Sequence, residues 1–151
     1  MPTGNYISLN VKDKDVAKLI QDLSYWKIMK QVEVKRQVAT SAYAIEGEAK
    51  RNAPVAGEGK HGGFLRARIF TRIAPNELGA ANWSDVPYAP YQEFGTGSKV
   101  NVPPTFEDFA IQFKGRGIRQ VNIKAKLFLY KAWKHESKIF FDNVKRIMGI
   151  K

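Results

Sequence analysis

Tyr88-Ala89-Pro90-Tyr91-Gln92-Glu93-Phe94-Gly95-Thr96-Gly97 gathers three aromatic rings around one carboxylate and leaves through Gly-Thr-Gly. Taken alone, residues 88–94 read as a strand that runs into a forced turn. Upstream, residues 64–73 alternate, with Leu65, Ala67, Ile69, Thr71 and Ile73 on one parity and Phe64, Arg66, Arg68, Phe70 and Arg72 on the other. The first parity is a clean apolar face, so the segment reads as a half-buried strand with its arginines outward. Pro75-Asn76 reads as a turn, and residues 78–83 as the strand between these two. Three short strands in succession make a small antiparallel sheet.

Helices flank that sheet. Residues 6–11 alternate weakly and suggest a short strand. Asp13 can cap a short helix carrying Val16, Leu19, Ile20 and Leu23, and Ser24 can cap a second that runs to Asn52. The second helix places Ile28, Val32, Val38, Ala42, Ile45 and Ala49 near a helical period, interrupted by Lys35. Gly47 weakens it by up to about 1 kcal/mol relative to alanine, a cost that close packing against the sheet would offset. Pro54 ends it, because the residue before a proline avoids helical angles. Residues 128–148 form a last helix with Leu129, Trp133, Phe140, Val144 and Ile147 on one side, widened by Ala132, Phe141 and Met148 and stopped by Gly149. Between them, residues 97–126 read as a long loop or arm, broken by Pro103-Pro104. The expected fold is one α+β domain spanning residues 1–151, with the long helix and the C-terminal helix packed on one face of the sheet.

Composition narrows the partners. The net charge is +11, which points to acidic neighbours, either nucleic acid or an acidic protein surface. Cysteine is absent, so disulfides and thiolate metal sites are excluded, in keeping with a reducing cytosol. No apolar run is long enough to span a membrane, and residues 1–5 do not open a secretory signal.

Motifs that suggest chemistry fail on context. Gly57-Glu58-Gly59-Lys60-His61-Gly62 matches G-x-G-x-x-G, but a helix precedes it and a strand follows, the reverse of a dinucleotide site. As a phosphate-binding loop it fails too, with Pro54 where the first glycine belongs and His61 where a hydroxyl should be. The two histidines, His61 and His135, have no surrounding metal-ligand cluster. Asp85 and Glu93 could be paired as nuclease carboxylates, but Glu93 is followed by Phe94-Gly95 rather than leading to a lysine. The expectation is a protein without catalytic residues, metal or cofactor. Trp26, Trp83, Trp133, Tyr88, Tyr91 and Phe94 could stack bases, yet they suit a core or subunit contacts better. A basic nucleic-acid-binding module is the alternative that the charge supports.

Glu93 has two readings. A buried carboxylate needs partners. It either anchors the Gly95-Thr96-Gly97 turn locally, or it reaches an arginine of a neighbouring copy, drawn from Arg66, Arg68 and Arg72. Gly95 is expected in a backbone conformation that a side chain would strain.

Three segments recur in one order: Ala49-Lys50-Arg51-Asn52-Ala53-Pro54 with Gly63-Phe64-Leu65-Arg66-Ala67-Arg68-Ile69; Val86-Pro87 leading into residues 88–97; and Ala125-Lys126-Leu127-Phe128-Leu129-Tyr130-Lys131-Ala132. The chain from about residue 30 to 148 thereby resembles the neck or minor tail-component family of long-tailed double-stranded DNA bacteriophages. The specific element is Y-A-x-Y-x-E-F-G-T. Departures are Leu127 and Lys131, where the family pattern has prolines, and an expanded loop at residues 98–124. The resemblance implies a virion structural protein made in the host cytoplasm. It implies a homo-oligomeric, hexameric ring at the head–tail junction, a head–tail connector or tail-completion layer used in tail assembly. Its partners would be other copies of itself, head-completion or connector proteins, and tail-tube or tail-terminator proteins. The basic charge would face an acidic ring or DNA in the channel. Tyr88, Tyr91, Glu93, Phe94, Gly95 and Thr96, with Arg66, Arg68 and Arg72, would be the structural and interface residues.

Overall fold

Asp13–Asn52 is one unbroken helix, α1, of 40 residues. The computed structural model describes residues 13–55, 63–104, 107–110 and 122–150. The short strand expected at residues 6–11 and the glycine loop at 57–62 lie outside these, as does much of the arm. Ser24 does not start a second helix. Its hydroxyl donates to the carbonyl of Ile20 at 2.8 Å, a bond made inside a helix. Gly47 is not explained by close packing either, since a methyl group there would meet only Arg51, at 3.6 Å. The close approach belongs to Ala49 and Ala53, which are wholly buried.

Gly63 turns the chain with φ 86° into a single helical turn, α2, Phe64–Ala67. The strand expected from residue 64 therefore begins only at Ile69. Strand β1, Ile69–Ile73, pairs antiparallel with β2, Ala80–Ser84, in the register Ile69↔Ser84, Thr71↔Asn82 and Ile73↔Ala80. The Asn82 side-chain amide donates to Thr71 Oγ1 at 2.7 Å and to the carbonyl of Ala42 at 3.0 Å, which ties the hairpin to α1.

Residues 88–94 are not a third strand. Ala89–Phe94 forms a short helix, α3, with Pro90 in its first turn, where a missing N–H costs nothing. Ala89 and Glu93 are its buried residues, one helical turn apart. A 3-10 turn, Gly97–Lys99, and a short helix α4, Glu107–Ala110, follow. The last helix, α5, is Phe128–Met148, closed by Gly149 at φ 70° with amide bonds back to Arg146 and, from Ile150, to Lys145.

The architecture is a small α+β fold: a two-stranded antiparallel sheet with α1 and α5 packed together. Its core is Ala49, Ala53, Leu65, Ile69, Val86, Ala89, Phe128 and Ala132. Phe128 and Ile69 are the largest fully buried side chains. Burying each contributes about 1.5–3 kcal/mol. The buried stripe of α5 is Phe128, Ala132 and Glu136, rotated from the one expected; Trp133 and Phe141 remain exposed.

Candidate functional site

The stretch at residues 88–97 is built as a clasp around the start of α5. That helix opens on Leu127 in the left-handed conformation, φ 52°, with no side-chain cap of its own. The first amides of a helix have no partner within it. Glu93 supplies one from α3: Oε2 accepts from the amide of Leu129 at 3.0 Å and Oε1 from that of Tyr130 at 2.8 Å. The backbone repeats the connection, with the amides of Lys126 and Leu127 donating to the carbonyls of Gln92 and Glu93 at 2.9 and 3.0 Å. A carboxylate at a helix N-terminus also faces the positive end of the helix dipole.

Glu93 is 5% exposed. Burial pushes its carboxyl above the ordinary glutamate range, opposed by the amides of Leu129, Tyr130 and Phe128 and by nearby Lys131. Both oxygens are committed within the chain. The element that the Glu93 side chain anchors is the start of α5, in place of the Gly95-Thr96-Gly97 turn expected from the sequence.

Gly95 closes α3, donating to the carbonyl of Tyr91 at 3.0 Å with φ 78°. A Cβ on it would lie 2.5 Å from the Lys99 carbonyl oxygen, 2.7 Å from that of Ile123 and 2.8 Å from the Ala125 nitrogen. Thr96 then grips the same segment. Its amide donates to the Ile123 carbonyl, and its Oγ1 accepts from the Ile123 amide, both at 2.9 Å. The carbonyl of Phe94 accepts from Asn101 at 2.9 Å. Tyr88 and Tyr91 stay more than two-fifths exposed.

The three arginines do not share a face. Arg66, on α2, reaches back to the end of α1, donating through Nε to the Ala53 carbonyl at 2.9 Å and through Nη2 to that of Arg51 at 3.2 Å. It caps the helix C-terminus, where a cation is favoured. Arg68 forms a two-pronged pair with Asp85, Nε to Oδ1 at 2.6 Å and Nη2 to Oδ2. The guanidinium holds the Asp85 carboxyl below its ordinary range. Arg72 is exposed on β1. Asp85 and Glu93 are thus each engaged elsewhere and form no carboxylate pair.

His135 is exposed on α5, with Nδ1 2.8 Å from Oε2 of Glu48 on α1, and that partner raises its pKa. Among the described residues, no cluster of three or more His, Asp or Glu could hold a metal ion. No helix among them is long and apolar enough to cross a membrane.

Beside the clasp lies an apolar groove of about 800 Å³ between α1, the hairpin, α3 and α5, with Ile45, Trp83, Phe94 and Trp133 in its walls. Sequence reasoning did not find this groove, nor the capping role of Arg66. The sequence did carry one signal of exposed surface. Apolar residues occupy two opposed sides of the first half of α1, more than a helix burying one face requires.

No protein-family model, curated protein or solved structure matches the chain.

Proposed function

We propose that this chain is a structural protein of a long-tailed bacteriophage virion, closing into a ring at the head–tail junction and joining head to tail. The observation that carries this reading is the clasp. The stretch on which the family resemblance rests is spent on fixing α5 in place, through Glu93, Gly95 and Thr96. A motif that builds a rigid scaffold suits a protein whose product is a surface rather than a reaction. Wide apolar exposure on α1 and beside α5 supplies surface of the kind that marks protein contacts.

In a ring each copy presents one patch to the next, so the contact is heterologous and closes by rotation. The charge of +11 then faces an acidic neighbouring ring in preference to DNA, because a strongly basic channel would hold phosphates and slow DNA passage. The charge also supports a second reading, a nucleic-acid-binding module. Binding to bare DNA that weakens steeply with salt would favour it. The deciding experiment removes the protein from a phage that encodes it. Filled heads and finished tails that fail to join are expected; normal joined particles would overturn the proposal.

A further inference from the structure

Every described side chain from Ala17 to Met29 is exposed, and burial along α1 begins only around Val34 and Val38. The first 17 residues of α1 therefore project, about 25 Å of helix. Leu19, Ile20, Leu23 and Trp26 form one stripe on it, each 47–59% exposed. Among the described residues no element covers that stripe, and apolar surface left in water is costly.

The same chain carries an open apolar groove, lined by Val38, Trp83, Phe128, Trp133, Phe140 and Phe141 among others. Trp133 and Phe141 are 50% and 61% exposed at its side. The projecting stripe cannot fold back into it. Val38 and Ile45 of α1 are part of the groove wall, α1 is unbroken, and twelve helical steps from Trp26 to Val38 hold them about 18 Å apart.

Charge selects the occupant. Residues 13–29 are neutral, with Lys14, Lys18 and Lys27 balancing Asp13, Asp15 and Asp22, while the chain as a whole carries +11. A second copy can approach through this segment without the repulsion that the rest of its surface would meet. The charged residues lining the groove are both acidic, Glu93 and Glu136. Glu93 is committed to the α5 amides and Lys30 is paired with Glu33 at 3.3 Å, which leaves Glu136 on the wall and Lys27, one turn beyond Leu23, to meet it.

We infer that the projecting half of α1 in one copy docks its Leu19, Ile20, Leu23 and Trp26 stripe into the groove of the next copy. This is helix-in-groove recognition, with Lys27 facing Glu136. Each copy gives one helix and receives one, so the contact runs head to tail around an assembly. The inference deepens the ring reading and rests on it for closure.

The chain has no cysteine, so single thiols report this contact cleanly. Leu23→Cys protein is mixed with Phe141→Cys protein under mild oxidation. A disulfide-linked pair is expected in the mixture and in neither variant alone. Leu23→Asp should abolish self-association and, at dilutions where the native chain is monomeric, leave the thermal midpoint unchanged, since Leu23 is 57% exposed. Linkage of Leu23→Cys to itself as readily as to Phe141→Cys would overturn the inference, as would a mixture that stays unlinked at the highest soluble concentration. Protein at the head–tail junction of particles without this linkage would remove the contact and spare the ring reading; linkage in solution with no protein in particles would do the reverse.

Discussion

The carboxylate of Glu93 lies 2.8 Å from the amide nitrogen of Tyr130, 37 residues later in the chain. With the Leu129 amide on its other oxygen, it acts as the N-cap that α5 lacks in its own sequence. Glu93→Ala would leave these amides without their acceptor in a buried site. A loss of about 1–3 kcal/mol in denaturant unfolding is expected, with a smaller loss for Glu93→Gln, which keeps one acceptor oxygen. Loss of assembly with unchanged unfolding would instead place Glu93 between subunits.

The same burial sets a pH dependence. The Glu93 pKa is raised on folding, so the folded chain holds this proton more tightly than the unfolded one. Its contribution is fully present below the ordinary glutamate value of 4.5 and is lost as pH rises through the raised folded value. The advantage of the native chain over Glu93→Gln in unfolding midpoint should therefore shrink as pH rises from 4.5. A difference that does not vary with pH in that window would contradict the assignment.

Gly95 and Gly149 both have positive φ, 78° and 70°, but only Gly95 is crowded. Gly149→Ala meets nothing within 4 Å and should cost about 1 kcal/mol of conformational strain. Gly95→Ala drives a methyl group onto three backbone atoms of the clasp and should cost more than about 3 kcal/mol or prevent folding. Gly95 also pairs φ 78° with ψ −177°, a conformation essentially reserved for glycine, whereas Gly149 has ψ 24°, so crowding and dihedral strain both raise the cost at Gly95, and circular dichroism melts of the two variants measure the difference. Equal losses would argue against the clasp.

Gly47 offers the opposite sign. It sits inside α1, and a methyl group there makes only an ordinary contact with Arg51. Gly47→Ala should stabilise the chain by about 0.5–1 kcal/mol, read as a raised unfolding midpoint.

The sequence makes parts of this architecture legible because their causes are local. Pro54 stops α1, Gly149 stops α5, and the alternation through Ile69, Thr71 and Ile73 marks β1. Residues 88–94 mislead because seven residues rich in aromatics suit a strand or a helix equally well. What decides between them is the bond from Glu93 to Leu129 and Tyr130, which no local pattern reveals. Phe64–Ala67 keeps a strand's alternation, yet the Gly63 turn and the reach of Arg66 back to Ala53 make it helical. Ser24 fits a helix cap by residue type, but a hydroxyl can equally bond back one turn inside a helix, as it does here. The stripes of α1 are visible in the sequence as apolar residues, while their exposure depends on where α5 packs among the described residues.

The most direct measurement is electron microscopy of intact particles that contain this protein. A closed ring of its density between head and tail is expected, with the projecting half of α1 reaching the adjacent subunit. Particles whose head–tail junction holds no such ring would contradict the proposed role.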